Sequence, residues 1–126
     1  MIDHTGIRCA NLDKSIEFYK KALAPISYEL LMHLAEYGAA GFGEKGKADF
    51  WLNSNHGAPK ENGHVAFRAS GREQVRKFYE AAIAAGGKDN GPPGPRPHYH
   101  ENYYGAFVLD PDGNNIEVVC HEAFLG

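Results

Sequence analysis

Three side chains in this sequence are of the types that bind divalent metal ions, and each lies in a segment with strand character. Glu117 stands in an apolar run, where alternation places Ile116 and Val118 on the opposite face. A buried, ionised carboxylate without a partner is costly, so Glu117 must lie at a wet edge, pair with a cation or bind a metal. His4 and His64 open two other strand-like segments at an offset of 60 residues.

Two histidines and one carboxylate that arrive from three strands on the concave side form a facial triad with open positions for substrate and water. We therefore predict one divalent ion at His4, His64 and Glu117. Imidazole and carboxylate suit Fe, Mn, Ni, Zn or Co, and the ligand set does not choose among them. The alternative is that His4 and His64 are ordinary strand histidines and that Glu117 is an acid at the rim of the sheet.

An internal repeat places the two histidines at equivalent positions. The offset of 60 continues without a gap through the segment that follows each of them, where it aligns Phe67 with Ile7, Arg68 with Arg8, Phe78 with Phe18, Tyr79 with Tyr19 and Ala82 with Ala22. Each half is predicted as strand, helix and three strands, which gives modules 1–57 and 58–126. The predicted fold class is α+β, a single domain of residues 1–126 in which two tandem βαβββ modules curve into a metal-binding cleft.

The elements that position these residues have local signals of their own. Helical periodicity from Leu12 ends at Pro25, and a capping-box pattern at Ser70–Glu73 opens the second helix. The segment from Gly91 to Pro97 is rich in proline and is predicted as an extended loop or lid. The turn at 110–114 indicates a β-hairpin over residues 103–121.

The duplicated module, the histidine that opens each half, the Phe-Tyr pair in each helix and the ending DPDGNNIEV resemble the vicinal oxygen chelate superfamily. That group includes glyoxalase I, fosfomycin-resistance thiol transferases, extradiol dioxygenases, methylmalonyl-CoA epimerase and bleomycin-binding proteins. The resemblance implies that His4, His64 and Glu117 are metal ligands. It also implies that an arginine at the place of Arg8 holds a substrate carboxylate, as in glyoxalase I.

One departure from the glyoxalase I pattern concerns the fourth ligand. Aligning the turn glycines Gly46 and Gly113 places Phe50 opposite Glu117, so the first module supplies no acid there. Asp49 is adjacent but has the opposite strand parity in this alignment. A three-ligand site resembles the thiol transferases and ring-cleaving dioxygenases more than glyoxalase I.

Further residues are predicted to complete the cleft. Arg8 and Arg68 lie four residues beyond each histidine and suit a carboxylate or phosphate, the alternative being a structural salt bridge. His100 and Tyr103, delivered by the lid-like loop, are candidates for acid/base work. The remaining substrate-binding candidates are Phe50, Tyr104 and His121, and core packing is the alternative for both tyrosines.

Composition narrows the function classes. The chain has 126 residues, 43% of them apolar, and a net charge of −3 without a basic stripe, so we expect a folded domain with no nucleic-acid or membrane partner. Without a leader-like segment, cytoplasm is the expected location, and Cys9 and Cys120 are expected as free thiols. Exposed sheet edges favour a homodimer, and the cleft could close within one chain or by exchange of modules between two.

The predicted function is a mononuclear metal enzyme of the lyase, thiol transferase or dioxygenase type. Its substrate would be a small oxygen-bearing molecule that chelates the metal. The alternative is a metal-free binding or resistance protein of the bleomycin-binding type, and a scaffold without activity is a third possibility.

Overall fold

The repeat in the sequence becomes two similar four-stranded sheets, each with one helix. The computed structural model describes residues 1–122, and the predicted fold of two tandem βαβββ modules is confirmed. The first module contains β1 (Thr5–Arg8), α1 (Leu12–Ala22), β2 (Glu29–Leu34), β3 (Ala39–Glu44) and β4 (Lys47–Asn53). The second contains β5 (His64–Arg68), α2 (Arg72–Ala84), β6 (Lys88–Pro95), β7 (Tyr104–Leu109) and β8 (Asn115–Cys120).

Both sheets have the same strand order, β1-β4-β3-β2 in the first and β5-β8-β7-β6 in the second. The first strand of each module pairs parallel with the last strand, and the other pairs are antiparallel. The two hairpins differ in their loops. Lys45 and Gly46 alone separate Glu44 from Lys47, and both have positive φ, whereas five residues separate Leu109 from Asn115.

The first helix begins and ends where the sequence predicts. The side chain of Asn11 accepts a hydrogen bond from the amide of Lys14 at 3.0 Å, which satisfies one of the free amides of the first turn. Pro25 follows the helix and cannot continue it. The apolar face of α1 packs against the first sheet and the second helix, and it buries Ile16, Phe18, Tyr19 and Ala22.

The second helix differs in detail from its predicted cap. Gly71 is the N-cap, and the amide and hydroxyl of Ser70 both donate to Oε1 of Gln74, at 2.8 and 2.9 Å. The predicted capping box between Ser70 and Glu73 is therefore wrong by one residue, because the N-cap of α2 is Gly71 and Ser70 bonds to Gln74.

Residues 91–95 of the proline-rich segment belong to β6, so the prediction of a loop from Gly91 to Pro97 is wrong for them and holds only for Arg96 and Pro97. β6 is an edge strand that pairs with β7 only, through two register shifts, and an edge position tolerates the missing amide hydrogens of proline. The loop lies just after it. It is closed by a 2.7 Å hydrogen bond from the amide of Arg96 to the carbonyl oxygen of Tyr103.

One core joins the two modules on the sides of the sheets that face the helices. The rings of Phe50 and Phe67 pack edge to face with centroids 5.0 Å apart. The hydroxyl of Tyr19 in the first module donates to Oδ2 of Asp110 in the second at 2.5 Å, and both side chains are buried. Across residues 1–122, no helix has the length and apolar character needed to cross a membrane.

Candidate functional site

The side of each sheet opposite its helix, here called the open face, carries the polar side chains of interest. On the second sheet, Glu117 is only 2% exposed and both its carboxylate oxygens have partners. Nε2 of His64 lies 3.0 Å from Oε1, and the hydroxyl of Tyr103 donates to Oε2. The buried carboxylate in this apolar strand is therefore stabilised by two polar partners.

Neighbouring aromatic rings hold the side chain of Tyr103 against Glu117. Its ring contacts those of Tyr99 and His121, with centroids 5.1 and 5.3 Å apart. Burial raises the pKa of Tyr103, and the hydrogen bond to Glu117 and the charge of that carboxylate raise it further. The phenol therefore keeps its proton at neutral pH and acts as a donor toward Glu117.

His4 lies on the first module and is not part of this cluster. Its side chain is 63% exposed, and its Nδ1 lies 2.7 Å from Oδ1 of Asp3. His4 and His64 nevertheless line one cavity of about 390 Å³, here called the shared cavity. Its other lining side chains come mainly from β1, β4 and β5, and they include Tyr28, Asp49, Phe50 and Phe67.

The predicted metal ligands are thus brought together in part. His64 and Glu117 fit an ion as a pair, because two donors that each lie about 2.0 to 2.2 Å from one ion are about 3 Å apart. His4 does not complete the set in its described position. Within residues 1–122, no three histidine, cysteine, aspartate or glutamate side chains are gathered closely enough to hold one ion.

The strand register corrects the position assigned to Phe50. Gly6 pairs with Trp51 and Ala66 pairs with Glu117, so Trp51 is the structural equivalent of Glu117. Alignment on the turn glycines failed because the two hairpin loops differ in length and because β3 and β4 shift register beside Gly43. Phe50 is 1% exposed and packs in the core.

Asp49 is the candidate that the sequence alignment set aside. The pairing of β3 with β4 skips Asp49, because Phe42 pairs with Phe50 and Gly43 with Ala48, so alternation does not fix the face that Asp49 occupies. Asp49 lines the shared cavity and accepts a hydrogen bond from the hydroxyl of Tyr28 at 3.1 Å. Burial of Tyr28, with the hydrogen bond to Asp49 and its charge, raises the pKa of Tyr28 to about 12.

The two arginines lie in different cavities, so the prediction that both face one cleft is wrong. Arg8 lines a cavity of about 480 Å³ with Lys60, Glu61 and Asn114. Arg68 lines another of the same volume with Glu44 and Gln74.

The remaining candidates divide between the two faces of β7 and its flanking segments. His100 and His121 are exposed neighbours, with ring centroids 5.5 Å apart, beside Tyr103. Tyr104 instead lies on the helix side, where the guanidinium of Arg72 stands 4.6 Å from its ring centroid. Tyr104 is therefore a packing residue, which was the alternative considered for it.

Comparison with known proteins identifies the family. The family model described as Glyoxalase/Bleomycin resistance protein/Dioxygenase superfamily matches residues 1–118. The chain belongs to this superfamily. A search of curated proteins gives no match.

Solved structures of the superfamily share the fold at low sequence identity. A glyoxalase/bleomycin resistance protein from Albidiferax ferrireducens T118 is 26% identical, with a TM-score of 0.80 over 97% of this chain and 99% of that one. A mutant of glyoxalase I from Zea mays is 29% identical, with a TM-score of 0.69 over 94% of this chain and 46% of that one. This chain therefore spans about half of the maize chain.

Lactoylglutathione lyase from Agrobacterium tumefaciens is 18% identical, with a TM-score of 0.72 over 95% of this chain and 92% of that one. At this identity the likeness shows the fold alone.

Proposed function

We propose that the chain is a mononuclear divalent-metal enzyme of the superfamily that acts on a small oxygen-bearing substrate able to chelate the metal. The observation that carries the proposal is the pair of His64 and Glu117, a half-exposed imidazole 3.0 Å from a buried carboxylate. Such a pair offers two metal donors and keeps the side of the imidazole away from Glu117 accessible.

His64 and Glu117 would hold the ion, and His4 is the proposed third ligand from the other side of the shared cavity. A bound divalent ion would supply Lewis-acid stabilisation of a developing enolate or alkoxide. Asp49, bonded to Tyr28, is the acid from the first module that could approach the same cavity. The name of the maize relative favours a reaction of the glyoxalase I type, while thiol transfer and ring cleavage belong to the same proposal.

The groups around the site are proposed to handle charge and protons. Arg8 lines a cavity separate from the shared one, with Lys60 and Glu61, and is proposed to bind a carboxylate or phosphate on a part of the substrate remote from the metal. His100 and His121 stand exposed beside Tyr103 and are the proposed acid/base groups. Tyr103 donates to Glu117, so the proposal assigns it no direct proton transfer to substrate.

A metal-free binding protein is the second candidate, and one observation favours it. Both oxygens of Glu117 already have hydrogen-bond partners, so this carboxylate is satisfied by protein groups. In that case the shared cavity would hold a ligand against Tyr28, Phe50 and Phe67.

A homodimer and a cytoplasmic location complete the proposal. In the sheets of the described residues the edge strands are β1, β2, β5 and β6; β6 is protected by prolines, and β2 is the longest of the other three, with 6 residues against 4 in β1 and 5 in β5. β2 is therefore the edge we expect a second copy to approach. Light scattering at micromolar concentration should give the mass of a dimer, and a monomer mass would refute this part.

The decisive experiment for the function is metal content with a substrate panel. Protein purified anaerobically should contain close to one equivalent of a divalent metal by elemental analysis. It should turn over at least one member of a panel of α-hydroxythioesters, catechols and epoxides. If neither the purified protein nor protein reconstituted with Mn, Fe, Co, Ni or Zn retains metal, the binding protein becomes the better account.

A further inference from the structure

We propose that Tyr103 is a positioning residue for Glu117. Its hydroxyl holds Oε2, so that Oε1 alone is presented toward His64 and a bound ion. The proposal rests on the proposed function for its role toward a metal, and on the hydrogen bond alone for its role toward Glu117.

The two oxygens of Glu117 are not equivalent in their surroundings. Oε2 accepts a hydrogen bond from the phenol of Tyr103, whereas Oε1 lies 3.0 Å from Nε2 of His64, whose side chain is 54% exposed. A free carboxylate binds an ion through one oxygen or through both. With Oε2 held by a donor, Glu117 would offer Oε1 to an ion held together with His64.

The backbone of Tyr103 is fixed on both sides, which makes it a rigid donor. Its amide donates to the carbonyl oxygen of His100 at 3.1 Å, and its carbonyl oxygen accepts from the amide of Arg96 at 2.7 Å. The ring is flanked by Tyr99 and His121. A donor held in this way costs little further side-chain entropy when it holds the carboxylate.

Gly105 provides the space in which the two side chains meet. A Cβ atom at residue 105 would lie 3.3 Å from Cε1 of Tyr103 and 3.5 Å from Oε2 of Glu117. The first distance is tighter than ordinary packing, so a methyl group there would push the phenol away from the carboxylate. Gly105→Ala thus disturbs the contact while both functional groups remain.

The first test uses the metal-free protein and does not depend on the proposed function. With the side-chain carboxyl carbons of glutamate labelled with ¹³C, Tyr103→Phe should shift the Glu117 resonance, and Gly105→Ala should shift it to a smaller extent. Tyr104→Phe is the matched control, because that hydroxyl lies near Arg76 on the helix side and should leave the resonance in place. An unchanged Glu117 resonance in folded Tyr103→Phe would overturn the proposal. If that variant does not fold, an unchanged resonance in Gly105→Ala decides against it.

The second test titrates Mn²⁺ into the same proteins by calorimetry. Groups that orient a metal ligand typically contribute about 10- to 100-fold in metal affinity, so Tyr103→Phe should weaken binding by that factor and Tyr104→Phe should not. Equal or tighter binding by Tyr103→Phe would overturn the role toward the metal. If the wild-type protein binds no metal, the proposed function fails, and the carbon shifts still decide whether Tyr103 holds Glu117.

Discussion

The two modules share a backbone design but differ in what they place at one equivalent position. Trp51 stands opposite Gly6 in the first sheet, and Glu117 stands opposite Ala66 in the second. The indole packs over Gly41, where a Cβ atom would come within 2.9 Å of its ring. The carboxylate is instead surrounded by an imidazole and a phenol.

This difference shows that the repeat preserves the frame and that neighbouring side chains decide the chemistry. In each module a glycine on the open face makes room for a different group: Gly41 for the indole of Trp51, and Gly105 for the phenol of Tyr103 beside Glu117. The second module therefore holds the polar cluster, while the first contributes the exposed His4 and the half-buried Asp49. The following predictions test this division of roles.

The largest expected effect separates the two faces of β4. Phe50→Ala should lower the free energy of unfolding by about 3 to 5 kcal/mol, because a fully buried aromatic ring is lost from the core. Trp51→Ala should cost less, because the indole is partly exposed on the open face. Urea unfolding measures both. Similar losses for the two variants would contradict the register described here.

The next effect concerns the bond between the modules. Tyr19→Phe removes the hydroxyl that donates to Asp110 and should cost about 1.5 to 3 kcal/mol, the range for a hydrogen bond to a charged group. Tyr37→Phe is the control, because that side chain is 63% exposed. Urea unfolding of the two variants side by side makes the comparison, and a loss below about 0.5 kcal/mol for Tyr19→Phe would show that the modules do not rely on this bond.

A smaller effect should appear at alkaline pH. The pKa of Tyr28 is raised to about 12, against an ordinary value of about 10, by burial and by Asp49. The pKa of Tyr28 is higher in the folded protein than in the unfolded chain. The stabilisation that the protonated phenol gives is therefore complete below about pH 10 and is lost as the pH rises toward 12. Tyr28→Phe should therefore flatten the fall in stability above pH 10 by about 1 kcal/mol, as followed by urea unfolding at several pH values. A fall as steep as that of the wild type would show that Tyr28 does not contribute.

The smallest effect compares the two helix starts. Asn11→Ala removes the side-chain cap of α1 and should cost about 1 kcal/mol. Gly71→Asn should add a cap to α2 and stabilise the protein by a few tenths of a kcal/mol, since Gly71 is extended and has no side chain to cap the helix. Thermal unfolding should show the two changes with opposite signs, and changes of the same sign would contradict the assigned N-caps.

Periodicity and the repeat were sufficient to predict the modules, since alternation and helical spacing follow directly from burial on one face. The position of Phe50 was not predictable, because loop length and a register shift moved β4 relative to the turn glycine. Only a fold could reveal that Tyr103 reaches Glu117 across β7 and β8. Proline content suggested a loop for β6, although a strand at the edge of a sheet accommodates it.

The central claim is that Glu117 anchors a divalent metal ion in the second module. The most direct measurement is a calorimetric titration of Mn²⁺ into the metal-free wild-type protein, Glu117→Gln and the matched surface control Glu80→Gln. The account predicts that Glu117→Gln weakens binding by at least about tenfold and that Glu80→Gln binds as the wild type does. Equal affinity for all three proteins would contradict the claim and favour a metal-free binding protein.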